Sequence, residues 1–316
     1  MKRRLAVAGL CLVSLAAFTA PVQAQQKEVR IGMVTLQMKA PYFIGVVRAV
    51  EKEAQNYGNV RVLVADGGGD VAKVTSDIED LLAKGVDGFI LNISPLEALP
   101  GPMAAIKKAN KPVVLLNRKL KGGEYDTWIG VDNLATGTGV GEQIVRLMGG
   151  KGTLLMMRGG PEDNSTGNAR RDGVLSKVKG TGINVIMAPE FGKWSEDGGI
   201  RVMEDMLAKH KNIDMVFCEN DSMCLGAQKA IADAKRTNQI RIFGFDGQKA
   251  ALEQIAKGTN YVGTGLNSPE ILARIGFQRM MALLAGAKIQ EKDTTTPVVV
   301  ITRDNVGAYF DPKSIF

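Results

Sequence analysis

Ile78-Glu79-Asp80-Leu81-Leu82-Ala83-Lys84 runs into Val86-Asp87-Gly88-Phe89-Ile90-Leu91-Asn92, and Met203-Glu204-Asp205-Met206-Leu207-Ala208-Lys209 runs into Ile213-Asp214-Met215-Val216-Phe217-Cys218-Glu219-Asn220. Each is an amphipathic helical pattern leading to an apolar strand that stops at an amide side chain. The second stretch has two extra turn residues, Lys211 and Asn212. The likeness predicts a fold built twice, against the plainer account that helix-to-strand units recur by chance in α/β chains. In open α/β sheets ligands bind beyond the carboxyl ends of strands. Two amide-terminated strands therefore point to a ligand held between two similar lobes.

Outward from these stretches the same alternation continues. Val29–Thr35, Val60–Ala65, Gly88–Asn92 and Pro112–Asn117 read as strands, and Pro41–Tyr57, Asp70–Lys84 and Pro95–Ala109 as helices. After Val131-Asp132-Asn133 a second series of strands follows near Thr153–Met157, Ile183–Ala188, Met215–Cys218, Ile240–Phe245 and Tyr261–Thr264. Repeated βαβ winding implies mainly parallel sheets with helices on both faces. No Pro-, Ser- or Gly-rich linker divides the halves, so short crossings near Thr127–Asp132, Asn267–Ser268 and Pro297–Val299 are expected to act as the hinge.

The N-terminus has the pattern of an export signal. Lys2, Arg3 and Arg4 precede the apolar run Leu5–Phe18, and Val22-Gln23-Ala24 offers small residues for cleavage, leaving a mature chain that starts near Gln25. Cys11 lies inside the apolar run with no small residue before it, which speaks against a lipid-anchored cysteine. Losing three cationic residues lowers the formal net charge from +7 to +4. Lys and Arg are interspersed with acids and no basic run with interleaved aromatics occurs, so nucleic acid is a poor partner. Of the mature cysteines, Cys218 and Cys224 suit a disulfide in an oxidising compartment, and small apolar packing accounts for them equally well.

Catalytic patterns are sparse. The single histidine, His210, follows a helix, where it favours the helix dipole. No Gly-x-Ser-x-Gly elbow, phosphate loop or His-Glu-x-x-His motif is present, and neither a cofactor nor a metal is expected. Gly67-Gly68-Gly69 reads as a plain turn, and Gly137, Gly139 and Gly141 as close-packing positions on one helix. What recurs in both halves is a set of residues at carboxyl ends of strands: Lys39 to Phe43, Asn92, Asn117 with Arg118, Asn168 with Arg170, Trp194, Asn220 with Asp221, Asp246 and Asn267. Amides, a guanidinium, a carboxylate and aromatic rings suit a polyhydroxylated ligand, with partners for its hydroxyls and flat faces for its C–H surface. Taken alone, Tyr42 and Phe43 fit a helix core, Trp194 a loop staple and Asp221 a helix cap.

Met33-Val34-Thr35 with Pro41-Tyr42-Phe43, Pro112 to Arg118, Val131-Asp132-Asn133, Val216 to Asp221 and Phe243-Gly244-Phe245-Asp246-Gly247 together resemble the sugar-binding proteins of ABC importers of the ribose-binding type. The resemblance covers nearly the whole mature chain. It implies the type I periplasmic binding protein fold: two similar doubly wound parallel-sheet lobes joined by a three-crossing hinge. One lobe would comprise residues 25–131 plus 268–298 and the other 132–267 plus 299–316. It further implies a periplasmic monomer that delivers a sugar or polyol to an ABC permease, with a chemoreceptor as a second possible partner. Tyr42, Phe43 and Trp194 would sandwich the sugar ring, while Asn117, Arg118, Asn168, Asn220, Asp246 and Asn267 would bond its hydroxyls.

Two departures matter. Asn117 stands where ribose binders carry Asp, and Asn168 where they carry Arg, so one charge of each sign is exchanged and a neutral ligand is expected. A one-residue lengthening around Gln37–Ala40 can bring Lys39 inward, which would favour a sugar acid. The competing readings are a repressor-type regulator, which lacks its N-terminal helix-turn-helix here, and a secreted sugar-processing enzyme using Asp221 and Asp246 as acid and base.

Overall fold

The computed structural model describes residues 27–93, 99–120, 124–161 and 165–316. The expected export segment lies outside the described residues, as does the start of the expected helix at Pro95. The first half winds as β1 (Val29–Thr35), α1 (Pro41–Ala54), β2 (Val60–Asp66), α2 (Val71–Ala83), β3 (Gly88–Asn92), α3 (Pro100–Lys108), β4 (Val113–Leu116) and β5 (Thr127–Val131). The second winds as α4 (Asn133–Met148), β6 (Lys151–Arg158), α5 (Gly167–Val178), β7 (Gly182–Phe191), α6 (Glu196–Lys209), β8 (Met215–Cys218), α7 (Asp221–Asp233), β9 (Arg241–Asp246), α8 (Lys249–Ala256) and β10 (Tyr261–Leu266). The chain then returns with α9 (Pro269–Leu284) and β11 (Asp293–Thr296), and crosses once more to β12 (Val300–Thr302).

Two six-stranded sheets result, ordered β11-β5-β4-β3-β1-β2 and β12-β10-β9-β8-β6-β7. Every pairing is parallel except β10 with β12. The orders superpose strand for strand, and the two stretches that open the sequence argument, α2–β3 and α6–β8, occupy the same place in each lobe. Their strands are buried along their whole length, as parallel strands covered on both faces must be. Full burial of a side chain such as Phe89 or Phe217 stabilises by ~1.5–3 kcal/mol.

Short polar side chains start the helices. Asp70, Asp132, Ser195, Asn220 and Ser268 accept from the backbone N–H groups of Ala72, Ala135, Gly198, Met223 and Ile271. The expected packing glycines also act as such: a Cβ on Gly137 would overlap the Arg170 carbonyl, and one on Gly141 would come within 2.9 Å of Val174 backbone. This close approach of α4 and α5 sets where Arg170 lies.

The chain passes between sheets at Asp132, at Asn267–Ser268 and between β11 and β12. Thr127–Val131, read as part of a crossing, is instead strand β5, buried throughout. α9 covers the first lobe, packing on α1 and across β3, β4 and β5. Residues 299–316 do not all stay in the second lobe: Phe316, 7% exposed, sits in the first lobe's core with Tyr42 and Phe43.

Candidate functional site

The carboxyl ends of both sheets face one another across a cleft. From the first lobe come Ala40, Tyr42 and Phe43 at the start of α1, and Asn117 and Arg118 after β4. From the second come Thr166 just before α5 and Arg170 on it, Trp194 before α6, Asn220 before α7 and Asp246 at the end of β9, with Asn267 at the crossing. The space they enclose has a volume of about 20 Å³, room for about one water. A larger hollow of about 510 Å³ lies at the amino ends of β4 and β5, lined by Lys107, Lys111, Glu124 and Asp126 among others. That is the face opposite the one where α/β sheets bind ligands.

Asn267 joins the halves. Its Nδ2 donates to Asn117 Oδ1 (3.2 Å) and to Asp246 Oδ1 (3.1 Å), and its Oδ1 accepts from the Tyr42 hydroxyl (3.3 Å). Asn117 and Asp246 are structural counterparts, each following the fourth strand of its lobe, and both have positive φ, 65° and 120°. Lys193 and Trp194 share that property at 53° and 59°. Non-glycine residues in this region are sparse and gather where a side chain must be aimed. Here they aim two polar groups and an indole at one cleft.

The charges are paired. Arg170, 1% exposed, donates from Nη1 to Asp246 Oδ1 (2.9 Å) and to the Glu219 carbonyl (2.6 Å), and from Nε to Asn133 Oδ1 (2.9 Å). Its guanidinium stacks 3.9 Å from the Phe245 ring centroid. Arg118 donates across the cleft to Thr166 Oγ1 (3.2 Å) and lies 5.2 Å from the Trp194 ring. Burial raises the pKa of Asp246, against the pull of Arg170. Burial also raises the Tyr42 phenol, with the nearby Asp246 charge adding to it.

Asp221 does not line the cleft. It is fully buried, and its Oδ2 accepts from the N–H groups of Gly247 and Gln248 (2.8 Å each), its Oδ1 from Tyr261 Oη (2.7 Å) and Thr264 Oγ1 (2.8 Å). Burial, then the Asp246 charge, push its carboxyl up to about 7 while these donors oppose the shift. Its work is to hold the turn that presents Asp246. Asn220, not Asp221, caps α7, and Cys218 and Cys224, with Cα atoms 5.5 Å apart, are joined in a disulfide that staples this turn. The indole of Trp194 lies on Gly159, where a Cβ would overlap it.

Eight of the ten expected contacts meet in the cleft. Asn168 is half-buried on the first turn of α5 and Lys39 is exposed, and neither lines it. Ala40 and Arg170 take their places. The Asp246 carboxylate is paired by Arg170. Arg170 and Thr166 carry no periodic signal, since α5 is polar on most of its surface. Arg170 stands beside Asn168 among the strand-end residues, and the close-packing glycines of α4, which need an equally close neighbour, are the further hint that it is the buried one. The two-carboxylate arrangement needed for sugar hydrolysis is absent among the described residues lining the cleft, where Asp246 is the one acid. Also among them, no cluster of His, Cys, Asp and Glu can hold a metal, and no helix is long and apolar enough to cross a membrane.

Known proteins share this construction. The chain is 28% identical over 278 residues to the ribose import binding protein of Bacillus subtilis, covering 88% of each. It is 26% identical over 254 residues to a xylitol-binding protein of Mycolicibacterium smegmatis, covering 78% of this chain and 70% of that one. A crystal structure of an ABC transporter solute binding protein from Mycobacterium smegmatis with bound glycerol superposes with a TM-score of 0.85 at 27% identity, over 91% of this chain and 98% of the other. Residues 31–288 match the periplasmic binding protein domain, and the chain belongs to that family.

Proposed function

We propose that this chain captures an uncharged monosaccharide or polyol between its two lobes in the periplasm and delivers it to an ABC permease, acting as a monomer and without catalysis. The observation that carries the neutral ligand is that Asp246, the one acid lining the cleft, is already paired with Arg170 at 2.9 Å, while Asn117, Asn220 and Asn267 present uncharged amides beside them. A charged ligand would leave one charge uncompensated away from water, which is costly. Amides from both lobes supply hydrogen bonds suited to hydroxyls, and relatives named for ribose and xylitol support that class. In this reading Tyr42, Phe43 and Trp194 lie against the sugar's C–H faces, and Asn117, Arg118, Asn220, Asp246 and Asn267 bond its hydroxyls. Asn168 and Lys39 act from the rim. The basic and apolar N-terminal segment directs export and is removed near Ala24.

A space of about 20 Å³ admits a sugar only when the lobes part, so capture is an opening and closing about the three crossings. Thermal-shift screening against pentoses, hexoses, polyols and sugar acids tests the class, because a ligand bound to the folded state alone raises apparent stability by RT ln(1 + [L]/Kd). The expected result is a shift with one or more neutral members. A shift with a sugar acid alone refutes the neutral ligand.

A further inference from the structure

Beyond the three crossings, a fourth link joins the lobes. Asp311–Phe316 leaves the second lobe with a turn, in which Lys313 N–H donates to Asp311 Oδ1 (2.8 Å), and ends inside the first. Lys249, the first residue of α8, donates from Nζ to the Ser314 carbonyl (2.7 Å). Ser314 Oγ shares its one proton between the Phe316 backbone oxygen (2.9 Å) and Glu270 Oε1 in the first turn of α9 (3.2 Å), and accepts from Phe316 N–H (3.2 Å). One serine thus touches a helix start from each lobe. The Phe316 ring then packs edge-on against Tyr42, centroids 5.6 Å apart at 86°, and its Cβ closes over Gly45, where an added Cβ would lie 3.2 Å away. Tyr42 is held on its other side by Phe43, at 5.9 Å and 88°.

We propose that Asp311–Phe316 is an interlobe latch: it seats the Tyr42 ring from behind the cleft and biases the two lobes toward their closed relation. The placement carries this. Lys249 immediately follows the turn that Asp221 holds for Asp246, so the latch ties the second lobe's cleft turn to the aromatic wall of the first. Beneath it lies a cavity of about 260 Å³ lined from both lobes, by Leu252, Leu266, Pro269 and Ile271 among others. Segments packed over such a space shift more readily than a filled core. Phe316 is a positioning residue, acting through Tyr42. Its influence on sugar affinity rests on the capture function proposed above, whereas its influence on closure does not.

The test uses the full chain and three variants, Lys249→Met, Phe316→Ala and the conservative Phe316→Leu. Small-angle scattering without any sugar should give a larger radius of gyration for Lys249→Met and Phe316→Ala than for the parent. Amide exchange at Ile44–Val47 should quicken by about tenfold in Phe316→Ala and by less than about threefold in Phe316→Leu. Affinity for D-ribose and xylitol, measured by calorimetry, should fall by about fivefold or more in the first two variants, the scale of losing one charge-assisted hydrogen bond or one packed ring. Parent-like scattering in Lys249→Met overturns the latch, and so does parent-like exchange in Phe316→Ala. If Phe316→Ala does not fold, Lys249→Met decides alone, since it removes a single hydrogen bond. If neither sugar binds the parent, the affinity measurement is made with the neutral sugar or polyol that shifts the parent's melting, and a parent shifted by none fails the capture reading while scattering and exchange still decide the latch.

Discussion

Replacing Arg170 by Met keeps most of the side-chain volume and removes the charge, which isolates the electrostatic part of the cleft's design. Four interactions go with it: the ion pair to Asp246 at 2.9 Å, the bond to the Glu219 carbonyl at 2.6 Å, the bond to Asn133 Oδ1 at 2.9 Å and the cation–π contact with Phe245. Breaking a buried pair by removing one partner costs ~3–5 kcal/mol, and an acceptor left without its donor adds ~1–3 kcal/mol. A total near ~5 kcal/mol is large against a whole-protein stability of ~5–15 kcal/mol. At ~2–4 °C per kcal/mol for a lobe of this size, Tm should fall by roughly 10–20 °C. The loss should be pH-dependent with a definite sign. Burial already raises the pKa of Asp246 and Arg170 opposes the rise, so in the variant the carboxyl moves higher still. A folded-state pKa above the unfolded value means stability is lost as pH rises through it and regained as pH falls. Calorimetric unfolding at several pH values should therefore show the gap to the parent closing on acidification from neutrality, and Arg170→Met with Asp246→Asn should recover part of the loss at pH 7. A variant within ~2 °C of the parent, or a gap that widens in acid, refutes the claim that this pair is buried and coupled.

Trp194→Ala should weaken binding of whichever neutral sugar shifts the parent by ~1–3 kcal/mol in a protein that still folds, because one side of the indole faces the cleft while the other packs on Gly159; equal affinity in titration calorimetry would make the ring a loop staple. Asp221→Asn should be destabilising, and its deficit in a urea unfolding series should narrow as pH rises from about 4 to 7, since the parent's carboxyl has a folded-state value of about 7 against 3.8 and the parent alone loses stability across that range; a constant deficit refutes the raised value. Cys218→Ser should cost ~2 kcal/mol in oxidising buffer, the loop-closure value for so short a loop, and nothing relative to the parent once a thiol reductant is present.

The alternation of apolar runs and helical patterns carries the fold, because a parallel strand buried on both faces is written as an unbroken apolar run such as Phe89-Ile90-Leu91. Segments outside that rule are hidden. β11 is Asp293-Thr294-Thr295-Thr296, a polar edge strand with no pattern to read, and β5 follows a charged turn closely enough to pass for a crossing. Cleft residues that end a strand, Asn117, Asn220, Asp246 and Asn267, can be located from that position alone. Arg170 stands in the same set beside Asn168, but that it and not Asn168 enters the cleft depends on Asp246, distant along the chain, and on glycines of another helix that let α5 come close. Asn168 and Lys39 show the converse. They stand at plausible positions, but one helical turn and one loop direction decide what faces the cleft, and neither leaves a local trace.

The first lobe is not a stretch of chain. Its sheet needs β11, its face needs α9, and its core needs Phe316, all of which lie beyond residue 266, after the second lobe's helices and all but one of its strands. The second lobe's helices and five of its six strands lie consecutively between residues 133 and 266. As the polypeptide emerges from N- to C-terminus, residues 27–131 must therefore wait with an open sheet edge at β5 and an uncovered apolar face, while the segment made after them is the first able to complete itself. Long-range closure of this kind is slow and leaves apolar surface exposed meanwhile. On the export proposed above, that delay would keep the leading half threadable until residues 269–316 arrive to finish it.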